Sequence, residues 1–208
     1  MIHKQPDGFL AIPQQGMGRG VLVLHPWWGL NETIKNTCTC LAEAGFSVFA
    51  PDLYHGKLAT TIPEAENLSS ALDAKQAMHD VATGVDFLSQ HCQGSEKGLT
   101  VMGFSLGAYF ALQASTADPV RIRAVVLFYG TGPGDFSTAR AAYLGHFAEN
   151  DLYEPAEYVD SLEQTLIDAG RPVTFCRYPG TGHWFFESDR VEAYNPAAAA
   201  LAWERTLV

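Results

Sequence analysis

Gly103-Phe104-Ser105-Leu106-Gly107 closes the apolar run that begins at Leu99 and opens a segment of helical composition reaching Ser115. A serine between two glycines at such a junction has a mechanical reading. A strand that reverses sharply into a helix strains the residue at the turn, and glycines two positions to either side remove the Cβ atoms that would collide there. Ser105 then stands exposed, with the unpaired amide N–H groups of the helix start beside it. Ordinary turns also carry Gly and Ser in this density, so the flanking chain decides what the motif means.

Working outward, apolar and β-branched runs occur at Gly20 to Leu24, Phe46 to Ala50, Leu99 to Gly103, Ala124 to Tyr129, Ala142 to Ala148 and Pro172 to Tyr178. Their length and composition predict buried strands. Segments of helical period separate them. Ile34, Cys38 and Leu41 form one stripe, with Asn31 as N-cap and Gly45 as the stop. Met78, Val81, Val85 and Leu88 form a second, and Leu106 to Ser115 a third. A fourth helix is expected from Pro155 to Gly170, and a fifth from the Asn195-Pro196 start signal to Leu207. Alternation of this kind predicts an α/β fold: a mostly parallel, doubly wound sheet with helices on both faces, in one domain spanning 1–208. His55 to Ala74, polar and rich in Thr and Ser, is expected to be a loop or short helix covering a pocket.

Composition narrows the function classes. The chain has 208 residues, 47% of them hydrophobic and 17% charged, which is globular composition with enough length for a sizeable core. No window approaches the length of a membrane span, and Met1 to Gly20 has no apolar h-region, so a soluble cytoplasmic protein is expected. Thirteen basic against twenty-three acidic residues give a net charge of -10, which repels nucleic acid and anionic lipid. Cys38, Cys40, Cys92 and Cys176 have no zinc-like spacing and read as free thiols of a reducing compartment.

In a doubly wound sheet, reactive groups belong at the carboxyl ends of strands. Asp151 lies just past the Ala142 to Ala148 strand and His183 just past the Pro172 to Tyr178 strand, in the order Ser, Asp, His. That order suits a catalytic triad. A serine hydroxyl is a weak nucleophile until a neutral imidazole accepts its proton, and His183 takes that role. Asp151 would fix the imidazole tautomer and stabilise the imidazolium, with Glu149 as the nearest substitute. His183 is flanked by Gly180 and Gly182 before it and by Trp184-Phe185-Phe186 after it, a setting for a structured and partly dry loop. His25 also ends a strand and is expected to support the site, whereas His55, His79, His91 and His146 read as surface or core residues. His25-Pro26-Trp27-Trp28-Gly29 follows a strand where the second oxyanion donor is needed; Pro26 has no N–H, leaving the backbone N–H groups of Trp27 and Leu106. The expected pocket wall comprises Trp28, Tyr54, Trp184 and Phe185, with Thr131 to Phe136 as a further pocket loop.

These residues resemble the dienelactone hydrolase family of α/β-hydrolases. The resemblance rests on Trp27-Trp28-Gly29-Leu30-Asn31, Ala44-Gly45-Phe46, Ala50-Pro51-Asp52-Leu53-Tyr54, the Ser105 turn, Asp151, Gly182-His183 and Trp203-Glu204-Arg205-Thr206. It implies an α/β-hydrolase core without a large cap domain, Ser105, Asp151 and His183 as the triad, and Trp27 and Leu106 as oxyanion donors. Three departures stand out: Ser105 replaces the namesake's cysteine, Pro26 occupies the place of its priming glutamate, and Glu187 or its neighbours match its carboxylate-binding arginine. An acid there would repel an anionic substrate. The reading is therefore a serine hydrolase of small neutral esters or lactones acting through an acyl-enzyme, as a monomer or small homo-oligomer, with no metal or organic cofactor implied. Thioesterase or acyl-transfer chemistry on the same triad, or a non-catalytic ligand-binding relic, are the competing readings.

Overall fold

Among the described residues seven strands form one sheet in the order β1-β3-β2-β4-β5-β6-β7. The computed structural model describes residues 5–207. The strands are β1 (Gly8–Ala11), β2 (Arg19–Leu24), β3 (Phe46–Pro51), β4 (Leu99–Phe104), β5 (Ile122–Phe128), β6 (Ala142–Ala148) and β7 (Val173–Tyr178). All neighbours pair parallel except β1, which lies antiparallel on the edge against β3. The helices are α1 (Glu32–Glu43), α2 (Ile62–Ser70), α3 (Ala74–Gln90), α4 (Leu106–Ala117), α5 (Ala156–Asp168) and α6 (Pro196–Leu207). Every expected strand and helix is present to within a few residues at its ends.

The period-2 geometry of strands divides the core in two. Leu22 and Leu24, Val101, and Val125 and Leu127 face α3, α4 and α5. Val21 and Val23, Met102 and Phe104, and Val126 and Phe128 face α1 and α6. Both faces are covered, so the central strands read as continuous apolar runs rather than alternating ones.

Helix ends follow local chemistry. Asn31 caps α1, its Oδ1 accepting from the Ile34 N–H at 3.0 Å. The polar 55–74 stretch contains α2, which starts with a capping box: the Thr61 hydroxyl accepts from the Glu64 N–H, and the Glu64 carboxylate accepts from the Thr61 N–H at 3.1 Å. Trp28, Ala59 and Ala65 form a small apolar cluster that seats this helix over the loop after β2. Among the described residues no helix is long and apolar enough to cross a membrane.

Candidate active site

Ser105 is the first residue after β4 and adopts φ 49° and ψ -112°, outside the regions an L-residue normally occupies. The flanking glycines make the turn possible by their lack of side chains. A Cβ on Gly103 would collide with the Gly107 carbonyl, and one on Gly107 with the carbonyls of Leu24 and His25. The close approach of α4 to the end of β2 thus requires Gly107. The Ser105 N–H still donates to Phe128 O at 2.9 Å, continuing the ladder to β5 and holding the strained residue in place.

The three side chains expected at strand ends meet. Ser105 Oγ lies 2.9 Å from His183 Nε2, and His183 Nδ1 lies 2.7 Å from Asp151 Oδ2. With an ionised aspartate as acceptor, Nδ1 carries the imidazole proton and Nε2 is left to accept from the serine hydroxyl. The Asp151 side chain is 2% exposed and that of His183 5%, so the pair is shielded from water. Oδ1 of Asp151 accepts from the backbone N–H groups of Tyr153 and Glu154, each at 2.9 Å, which orients the carboxylate. The two loops are tied together by the Asn150 N–H donating to Thr181 O at 3.0 Å. Glu149 faces away, accepting from the Gly180 N–H at 2.9 Å.

Trp27 follows β2 and Leu106 opens α4; among the described residues neither backbone N–H donates to a protein acceptor. His25 fixes the loop that carries Trp27. It is fully buried, its Nε2 accepts from the Leu53 N–H at 3.1 Å, and its Nδ1 lies 2.7 Å from Pro26 O. Acceptance at Nε2 places the proton on Nδ1, so the ring is a neutral bridge between the loops after β2 and β3. Burial lowers its pKa accordingly.

Aromatic rings surround the histidine. Tyr153 and Trp184 each lie 5.0 Å from His183 by ring centroid, and Trp27 contacts Tyr153 at 5.5 Å and Trp184 at 6.0 Å. Trp28 is buried behind them, with the Arg190 guanidinium 4.2 Å over its ring. Two expected wall residues lie elsewhere. Phe185 is fully buried in the core beneath, against Tyr129 and Tyr178, because the left-handed backbone of Trp184 (φ 66°) turns the following side chain inward. Tyr54 packs on His25 at 5.1 Å and supports the loop rather than the triad.

Glu187 also departs from expectation. It does not face a substrate: it is fully buried, Tyr129 Oη donates to its Oε1 at 2.9 Å, and burial pushes its pKa up to about 8. The acid that does border the site is Glu154, which the sequence reading did not single out. A groove of about 610 Å³ begins at Tyr153 and runs between the Thr131–Phe136 loop and α5, with Glu154 in its wall. Thr131 Oγ1 donates to Glu154 Oε2 at 2.6 Å. The signal that would have found Tyr153 and Glu154 is their position two and three residues after Asp151, where an aspartate-centred turn directs them back over the site.

A parallel sheet carrying a strained serine turn after a central strand, with an acid and a histidine after later strands, defines an α/β-hydrolase. The model of the dienelactone hydrolase family matches residues 7–208, and the chain belongs to that family. Two relatives of similar length are the "Protein usf" of Aquifex pyrophilus, 31% identical over 96% of this chain and 90% of its own, and the "Putative carboxymethylenebutenolidase" of Aquifex aeolicus, 30% identical over 95% and 89%. Among solved structures, a "Putative Dienelactone Hydrolase" from Klebsiella pneumoniae superimposes with a TM-score of 0.85 at 24% identity, covering 96% of this chain and 90% of that one. At that identity the likeness speaks for the fold alone.

Proposed function

We propose that the protein is a serine hydrolase that cleaves small carboxylic esters or lactones lacking an anionic group. The observation that carries this reading is the unbroken chain from Asp151 Oδ2 through His183 to Ser105 Oγ, at 2.7 and 2.9 Å. Ser105 Oγ attacks the acyl carbon while its proton passes to His183 Nε2, and Asp151 stabilises the imidazolium. Negative charge moves to the carbonyl oxygen, where the Trp27 and Leu106 N–H groups are available as donors. Collapse breaks the bond to the leaving oxygen, which takes the proton from Nε2. Water then attacks the acyl-enzyme by the same route, releasing the acid and restoring Ser105.

The name carried by the Aquifex aeolicus relative, "Putative carboxymethylenebutenolidase", is consistent with lactones as one substrate class. The preference against anions rests on Glu154 in the groove wall instead of on Glu187, which is buried. A fluorophosphonate probe labels the wild-type protein and not Ser105→Ala, and hydrolysis of an activated aryl ester is lost in His183→Ala. Labelling that persists in Ser105→Ala, or no labelling of a folded wild type, would overturn the proposal.

A further inference from the structure

The groove that begins at Tyr153 lies beside the triad: Tyr153, which packs against His183, lines one end of it. In the mechanism above the leaving oxygen takes its proton from His183 Nε2, so the alcohol portion of the ester must lie on the side of that ring. The Tyr153 ring packs against His183 at 5.0 Å and lines the groove at the same time, so one end of the groove lies beside the imidazole that delivers the proton. The acyl carbon, by contrast, must sit at Ser105 between the Trp27 and Leu106 N–H groups.

The chemistry of the walls selects the alcohol. Tyr109, Phe136, Tyr153 and Tyr158 supply aromatic rings, and Glu154 supplies a half-buried carboxyl group whose Oε2 accepts from Thr131; burial raises its pKa and the hydrogen bonds to Thr131 oppose that rise. Among the described residues no lysine or arginine lines the groove. Aromatic rings around a concavity attract a cation through their negative faces, most strongly where water is excluded. A carboxylate among them adds a charge partner, and the chain's net charge of -10 draws cations toward the surface. A purely aliphatic chain has no use for Glu154, Ser161 and Thr165, and an anion is repelled.

We propose that this groove is an alcohol-side subsite for esters whose leaving group carries a quaternary or protonated amine a short linker away from the ester oxygen. The inference rests on the serine hydrolase reading and extends it to substrate class. The reaction balances as ordinary hydrolysis: the acyl–oxygen bond breaks, the acyl group passes to Ser105 and then to water, and the amino alcohol departs with its charge unchanged.

The test compares butyrylcholine with its uncharged carbon isostere, 3,3-dimethylbutyl butyrate, at low ionic strength, where the attraction is least screened. Wild type favours the cation by about tenfold or more in kcat/KM, and Glu154→Gln brings the ratio toward unity. Taking the ratio removes any effect of the substitution that both esters share. A wild-type ratio near one, or a ratio that Glu154→Gln leaves unchanged, overturns the proposal. If neither ester is turned over, fluorophosphonate labelling and the aryl-ester assay decide the hydrolase reading separately, and calorimetric titration of the wild type and Glu154→Gln with choline decides the subsite. Binding that Glu154→Gln weakens supports it, and absence of binding to the wild type overturns it.

Discussion

The Tyr129 hydroxyl donates to Glu187 Oε1 across 2.9 Å, with both side chains fully buried and the Tyr129 ring packed against His183. The edge of the Tyr129 ring meets the imidazole at 5.0 Å. Among the described residues Oε2 of Glu187 has no protein partner, and burial is the largest cause of its pKa rising from 4.5 to about 8, with Asp189 reinforcing it and Tyr129 and Arg190 opposing it. The folded protein therefore holds Glu187 neutral through a range in which the unfolded chain has lost the proton.

A pH dependence of stability follows. Between about 4.5 and about 8 the unfolded state binds fewer protons at this position than the folded state, so the contribution of Glu187 declines as pH rises. It is fully present below pH 4.5 and lost by the time pH passes the folded value. The slope is about 1.4 kcal/mol per pH unit where only the folded state is protonated. Glu187→Gln keeps the shape and the neutral acceptor for Tyr129 but has no proton to lose. Urea unfolding at pH 5, 6.5 and 8 should show the variant gaining on wild type at each step; a constant gap would mean that Glu187 is ionised in the fold.

Gly107→Ala tests the elbow. The added Cβ would run into the Leu24 and His25 carbonyls, which are backbone and cannot turn aside. Either α4 or the loop after β2 must shift. Overpacking of this kind costs about 1–3 kcal/mol, and both elements carry the donors assigned to the oxyanion, so kcat should fall by more than the change in KM. A variant with normal kcat and stability would show that the approach of helix to strand is looser than these contacts indicate.

His25→Ala separates support from catalysis. Its ring touches no reacting atom, yet removing it strands the Leu53 N–H and the Pro26 carbonyl inside the protein. Each buried group left unpaired costs about 1–3 kcal/mol, so the melting temperature should drop. Release of the loop carrying Trp27 should lower kcat while leaving the fluorophosphonate reaction with Ser105 detectable. Complete loss of that labelling in a folded variant would instead give His25 a role in activating the serine.

The sheet, its strand ends and the meeting of Ser105, Asp151 and His183 were legible because buried parallel strands are continuous apolar runs and chemistry collects at their ends. What escaped had weak or non-periodic signals. β1 is four residues long and exists through its pairing to β3, which no local pattern announces. The 55–74 stretch was expected as a loop or short helix, and the capping box from Thr61 to Glu64 is the local signal that decides for the helix and places its start. In Trp184-Phe185-Phe186 the left-handed residue breaks any regular alternation, so the sequence does not say which ring faces the site and which the core. Glu187 shows the converse limit: its place soon after His183 reads as a position facing the substrate until the fold closes over it.

Asp151→Asn bears most directly on the proposed triad. Asp151 Oδ1 accepts two backbone N–H groups while Oδ2 receives the His183 Nδ1 proton. An asparagine meeting the first demand with its carbonyl oxygen turns its NH₂ toward His183. A donor facing Nδ1 forces the imidazole into the opposite tautomer, with the proton on Nε2, where it cannot accept from Ser105. The expected loss is about 10⁴ in kcat, with substrate binding nearly unaffected. Because the side chain is only 2% exposed, water cannot easily stand in for the missing acceptor. Removing a buried negative charge also leaves the imidazolium that forms during the reaction without a partner, which adds to the loss. Steady-state kinetics on an aryl ester reads it, and a loss below about tenfold would place the functional acid elsewhere, with Glu154 the next carboxylate to replace.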